Sequence, residues 1–174
     1  MQRNEISGQN IVETYQSIQQ RIEKQLEIEY IYHTNRLEGR YLTKWATERV
    51  LKGIPVKKFR SKDIVAAQNH SRAIKFVRRM ASTPKYNITE ADIKNIHFMI
   101  SGTLIPNPGQ YRTDDIDLTP LPSEIPKDMN KLVNCINKGY QKLDLIEKAS
   151  CVHYQFSRIH PFTSTRGIEM IQKQ

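Results

Sequence analysis

Cysteine is nearly absent from this sequence: of 174 residues only Cys135 and Cys151 are thiols. They lie sixteen apart in no CxxC pair, which excludes a disulfide framework and a zinc-type ligand spacing and leaves free thiols in a reducing cytoplasm as the expectation. No apolar run approaches the ~20 residues that a bilayer span requires. The opening MQRNEISGQN has no hydrophobic core of a secretory signal. Membrane and exported classes are therefore disfavoured, and a cytoplasmic protein with no membrane partner is expected. Internal repeats, low-complexity tracts and heptads are missing as well. The 20.4 kDa chain fits one domain with a single core.

Acidic residues are the minority charge, 18 against 27 Lys plus Arg, giving a net charge of +9 and a pI near 9.6. Such an excess attracts nucleic acid, nucleotides or acidic protein surfaces. Nine basic residues fall between Lys52 and Arg79 with Asp63 the lone acid. Only Phe59 and Phe76 interleave with them, and no zinc finger, RNP motif or recognition helix is present. The stretch reads as a solvated helix face, and nucleic acid is not the expected partner. His33, His70, His97 and His153 share no metal-ligand spacing and read as structural.

Helical periodicity dominates what is there. Ile11, Tyr15, Ile18, Ile22 and Leu26 recur at three and four, the apolar face of a first helix that continues through Ile28 and Ile31 and stops near Gly39. A short helix from Lys44 to Lys52 follows, with Thr43 as N-cap and Gly53 closing it. A third runs from Ser61 to about Met80 with Ile64, Ala67, Ile74 and Val77 inward. A fourth opens on the capping box Thr89-Glu90-Ala91-Asp92. Further helices are expected at Lys127–Lys138 and Leu143–Arg158. Between Gly102 and Pro126 the pattern breaks: five of the eight prolines fall there, and Tyr111–Thr119 reads as a short hairpin or extended flap. The expected fold is an all-α bundle with one short β-hairpin flap.

Chemistry concentrates at HYQFSRIHPF, His153–Phe162. Proline disfavours helical geometry in the residue before it, so His160 is expected extended at a helix-to-loop junction. A histidine there titrates near neutrality and can serve as a base, or it can simply cap or pack against the helix end.

Three segments in order, YHTNRLEGRYLT, PGQYRTDDIDL and LIEKASCVHYQFSRIHPF, resemble landmarks of the Fic family. The resemblance runs from Tyr30 to Phe162, about three-quarters of the chain. It implies a helical protein adenylyltransferase that moves AMP from ATP to a Ser, Thr or Tyr hydroxyl of a target protein, with Mg²⁺ bridging the phosphates. Active members carry H-P-F-x-(D/E)-G-N-G-R-x-x-R, which makes His160 the catalytic base and Pro161, Phe162 and Gly167 remnants of the motif. Thr34–Gly39 is similar to the inhibitory pattern (S/T)-x-x-x-E-(G/N), which makes Glu38 the inhibitory glutamate. Pro108–Arg112 with Asp114–Leu118 corresponds to the flap that holds a target segment by strand addition, with Gly109, Tyr111 and Arg112 as its site residues. Read without the resemblance, Glu38 is a solvated helix-end charge, and the loop is a packed connector with Arg112 in a surface ion pair.

After Phe162 the match stops. Ser164 stands where the acidic metal ligand belongs, so no metal ligand is assigned, and magnesium prefers carboxylate and phosphate oxygens. Thr165 and Arg166 replace Gly-Asn, and Ile168 and Ile171 replace the phosphate-clamping arginines. A shifted path would be needed for Arg166 or Glu169 to compensate. The organisation expected is an N-terminal helical segment with the inhibitory-type motif, 1–40, and a Fic-like core, 41–174, truncated at its C-terminus. Apolar surface left uncovered there favours self-association. The activity expected is an impaired adenylyltransferase that binds ATP and Mg²⁺ weakly. The alternative is a non-catalytic Fic-like module that binds a partner protein.

Overall fold

The computed structural model describes residues 8–140 and 142–163, with side chains from residue 14 onward. Among these residues six α-helices follow one another: α1 (Gly8–Leu37), α2 (Lys44–Leu51), α3 (Ser61–Ala81), α4 (Glu90–Ser101), α5 (Ile125–Asn134) and α6 (Leu145–Ile159). The described residues contain no strand, so the fold class is all-α as expected. None of the helices is long and apolar enough to cross a membrane. The chain divides into two compact units, Met1–Ser71 and Arg72–Gln174, with the boundary inside α3.

In the first unit α1 packs on α2. Thr43 caps α2 by accepting from the Ala46 amide at 3.1 Å. The buried apolar residues are Ile28, Ile31, Leu42, Ala46, Val50, Ala66 and Ala67. On α1 burial follows Ile28, Ile31 and Asn35, whereas Tyr15, Ile18, Ile22 and Leu26 are exposed by 46–71%. The stripe read from the sequence is thus helical but uncovered. Periodicity locates an apolar stripe; it does not supply the element that would bury it.

A polar cluster replaces hydrophobic packing where α3 begins. Asp63, 1% exposed, accepts from Arg60 Nε and Nη2 at 2.9 and 3.0 Å and from the Tyr41 amide at 3.3 Å. Arg40 Nη1 lies 3.7 Å from the same carboxylate. A buried carboxylate is tolerable only with such charged donors around it.

The second unit is organised around α5. Ile125, Met129 and Leu132, together with Ile159 of α6, form its innermost cluster, against which Ile93, Tyr111, Ile136 and Phe156 pack. The Thr89–Asp92 capping box opens α4 as read from the sequence. Asp144 caps α6 through a second box with Glu147, a D-x-x-E pattern present in the sequence that moves the helix start from Leu143 to Leu145. The helix expected to run to Lys138 leaves α geometry at Cys135: residues Cys135–Gly139 form a π-helical turn. That turn brings the Asn137 side chain to Ile88: its Nδ2 donates to the Ile88 carbonyl at 2.8 Å, and its Oδ1 accepts from the Ile88 amide at 3.0 Å. Both cysteines are free thiols. Val77, expected inward, is 42% exposed.

The segment expected to form a hairpin, Tyr111–Thr119, consists of turns and bends instead. Its physical reason is Arg112. This side chain is 3% exposed and gathers the loop about itself rather than letting two extended arms pair.

Candidate active site

Arg112 donates from Nη1 to the Asp114 carbonyl at 2.6 Å, and from Nη2 to Thr119 Oγ1 at 2.7 Å and the Pro120 carbonyl at 2.6 Å. Its Nε donates to the carbonyl of His160 at 2.8 Å, and its own amide donates to the carbonyl of Pro161 at 2.9 Å. One planar, forked cation therefore closes the loop and ties it to the end of α6. Buried among backbone oxygens, it is not the surface ion pair that the sequence read alone suggests.

Gly109 brings the loop onto α4. Its φ is +80°, and a Cβ there would lie 3.0 Å from the Lys94 carbonyl oxygen and 3.1 Å from Phe98 Cβ. Its amide donates to His97 Nδ1 at 3.0 Å. That bond makes Nδ1 an acceptor, so a neutral His97 carries its proton on Nε2, 3.0 Å from Ser101 Oγ. Burial pushes the His97 pKa down, opposed by a backbone contact with Thr163.

His97 is the platform for Phe162. Their rings stack with centroids 4.0 Å apart and planes 10° from parallel, while Tyr111 and Phe156 tilt against Phe162 at 5.4 and 6.3 Å. Tyr111 carries Lys94 Nζ over its ring at 4.1 Å, and burial, with the Glu90 carboxylate beside it, raises its phenol pKa. Pro161 is fully buried and Phe162 nearly so. The platform was not legible beforehand, because nothing in the one-dimensional pattern marks His97 as the partner of an aromatic sixty-five positions on.

His160 sits at the junction read from the sequence, but not in the extended conformation expected before proline. It is the C-cap of α6 in the left-handed region, φ 46° and ψ 61°, with its amide donating to Phe156 O at 3.0 Å. Main-chain bonds at both its N–H and its C=O, the latter from Arg112, hold a conformation that non-glycine residues rarely adopt. Its side chain is half-buried. The structure thus brings together His160, Pro161, Phe162, Gly109, Tyr111 and Arg112. Ser164, Gly167 and the positions up to Ile171 lie outside the described residues.

Glu38 belongs to the first unit, in the turn that ends α1. Gly39, at φ 75°, supplies the left-handed residue, and the amides of Glu38, Gly39 and Arg40 donate to Thr34, Arg36 and Asn35. Its carboxylate lies 3.6 Å from Arg40 Nε and 3.9 Å from His70 Nε2, and it is only 31% exposed rather than freely solvated. His70 approaches Asn35 Nδ2 at 3.4 Å through its other nitrogen. Burial depresses the His70 pKa first and foremost; the Glu38 charge opposes that and the Arg40 charge adds to it.

Among the described residues no three His, Cys, Asp or Glu side chains are grouped to hold a metal ion.

Residues 87–164 match the model of the Fic/DOC family. That segment contains the whole assembly of Gly109, Arg112, His97 and the His160–Phe162 run, which is thereby the part of the chain similar to this family. "Protein adenylyltransferase Fic" of Nematostella vectensis is 29% identical over 153 residues, 83% of this chain and 35% of that protein. "Protein adenylyltransferase fic-1" of Caenorhabditis elegans is 28% identical over 148 residues, 79% of this chain and 29% of that protein. The chain spans about a third of the length of the curated relatives it matches. Among solved structures, a Fic domain containing signaling protein from Bacteroides thetaiotaomicron superposes with a TM-score of 0.76 at 25% identity, covering 84% of this chain and 60% of that one. A Fic family protein from Desulfovibrio desulfuricans gives 0.73 at 20% identity over 88% of this chain and 48% of that one, a likeness of fold.

Proposed function

We propose that this chain is a Fic-type protein adenylyltransferase by descent, with an N-terminal inhibitory segment (1–40) ahead of a Fic-like core (41–174), and that its transfer step is impaired. The observation that carries the reading is the grip of buried Arg112 on the main chain of His160 and Pro161, which holds the His160 ring at the end of a fixed helix. Relatives named as protein adenylyltransferases support the reaction class. In that reaction the hydroxyl oxygen of a target Ser, Thr or Tyr bonds to the α-phosphorus of ATP. The bond from that phosphorus to the bridging oxygen breaks, pyrophosphate leaves, and the hydroxyl proton passes to the His160 ring. ATP and Mg²⁺ are the cosubstrate and metal of this proposal.

Impairment follows from the residues after Phe162. A serine at 164 is a weak ligand for magnesium, and isoleucines at 168 and 171 provide no forked donors for phosphate. Loss of a single charge-stabilising donor typically costs ~10²–10³ in rate, and several lost together are not additive. Glu38 is the proposed inhibitory residue. With Ile171 at the position of its arginine partner, the lock is vestigial. The exposed part of the loop, 113–118, is the proposed flap for a target segment in a cytoplasmic protein.

Intact-mass spectrometry after incubation with ATP and Mg²⁺ tests the reading. The expected result is at most a trace of AMP adduct, unchanged in Glu38→Gly because the lock has lost its partner, and abolished in His160→Ala. A robust adduct that needs His160 would refute impairment. No adduct in any variant, with no heat of ATP binding at millimolar nucleotide, would favour the second reading, a non-catalytic module for a partner protein, which the substitutions at 164, 168 and 171 also support.

A further inference from the structure

The second unit contains a cavity of about 450 Å³ between the end of α3, the 83–88 connector, the π-helical turn and α6. Its volume falls within the range of small-molecule sites. Val77, Met80, Ala81, Ile88 and Ile136 supply apolar surface, and Tyr86 stands beside them. Val77 and Tyr86 are 42% and 43% exposed, so the exposure of Val77, unexpected from its helical register, belongs to a shared concave surface. Two cations, Lys85 and Lys148, also line the cavity, and no carboxylate does. Neither lysine is paired with an acid among the described residues.

The walls are fixed before any ligand arrives. Asn137 spends its side chain on both main-chain groups of Ile88, tying the connector to the π-turn. Of the two acids that follow the connector, Glu90 pairs with Lys94, and Asp92 is occupied by the Tyr86 hydroxyl at 2.9 Å and by the Thr89 amide and hydroxyl. Lys85 is held at φ 55°, a left-handed conformation that a lysine has no intrinsic reason to adopt. π-turns and such strained residues concentrate at functional sites.

From this arrangement we propose that the cavity is a binding site for a small amphipathic carboxylate, an aryl or medium-chain acid whose tail lies against Val77, Met80, Ile88 and Ile136 and whose carboxylate meets Lys85 and Lys148. The site is separate from the His160 assembly and independent of any adenylyl transfer.

Decanoate is the probe, titrated into the full isotope-labelled chain and followed by NMR, with decanol as the uncharged comparator. The expected result is saturable shifts confined to Val77, Met80, Ile88, Ile136 and their neighbours. Decanol should bind about tenfold more weakly, and Lys85→Gln/Lys148→Gln should weaken decanoate by roughly five- to tenfold, the effect of removing two part-exposed charges. Ala81→Phe, at an exposed position on the wall, should block both probes. Equal binding of decanol and decanoate to the unmodified chain would overturn the proposal, as would shifts scattered outside the cavity or no saturation by about 5 mM.

Discussion

Replacing Arg112 by methionine keeps the length of the side chain and removes every donor. Four side-chain bonds disappear, to Asp114, Thr119, Pro120 and His160. Charged hydrogen bonds contribute about 1.5–3 kcal/mol each, so a plain sum would reach roughly 6–12 kcal/mol. That sum overshoots, because the loop relaxes toward water and the cost of burying a guanidinium vanishes with it. The nearest measured analogue, breaking a buried charged contact, costs ~3–5 kcal/mol. Arg112 is 3% exposed, so solvent screening does not reduce the figure. A loss of about 4 kcal/mol is a large part of the roughly 5–15 kcal/mol that holds a domain folded. Urea unfolding followed by circular dichroism measures the loss, and hydrogen exchange locates it. Protection should fall first at the amide of residue 112, bonded to Pro161, and at the amide of His160. Arg112→Lys retains the charge but not the fork, and should fall about midway. A methionine variant within ~1 kcal/mol of the parent, with unchanged exchange at residues 112 and 160, would refute the strap.

Gly109→Ala should destabilise by about 1–3 kcal/mol, read by the same unfolding curves, since the residue combines φ +80° with a Cβ 3.0 Å from a carbonyl oxygen. Thr89→Ala removes one half of a capping box and should cost ~1 kcal/mol. Acid should weaken the fold through His70 and His97, whose folded-state pKa values burial holds below the ordinary 6.5. The unfolded chain then binds more protons, so their contribution is complete above about pH 6.5 and declines as pH falls toward the depressed folded values. Stability measured from pH 7.5 to 5 should therefore drop, and His70→Asn should flatten the slope; a profile unchanged by that variant would count against a neutral, buried His70.

The helices were readable because local rules and burial agree for most of them: the caps at Thr43 and Thr89, Met129 and Leu132 on the helix expected from Lys127, which in fact starts at Ile125, and the glycine at 39. Legibility ended where a contact depends on a distant partner. Five prolines and weak alternation between Gly102 and Pro126 admit either a flap of strands or a set of turns. The decision falls to Arg112 reaching the Thr119–Pro120 stretch and the His160 carbonyl. Asp63 appeared as the lone acid of a solvated basic run, yet it is buried beside Arg40, since charges on different elements compensate one another only after folding. The apolar stripe of α1 has the period of its helix, but Tyr15, Ile18, Ile22 and Leu26 are exposed among the described residues.

The His160–Phe162 run divides by physical role, and this governs which substitution can test chemistry. Pro161 and Phe162 are core, and Arg112 clamps the loop, so loss of any of them is first a loss of fold. His160 differs: its structural bonds are made by its amide and carbonyl, which every residue retains. Only its ring is free to serve a reaction. The left-handed φ of 46° nonetheless taxes an alanine there, whereas asparagine tolerates that region better and glycine occupies it without strain. His160→Asn and His160→Gly should therefore unfold at or above the parent's denaturant midpoint, while His160→Ala falls slightly below it. A difference in AMP transfer shared by all three reports on the ring, whereas one confined to alanine reports on the backbone.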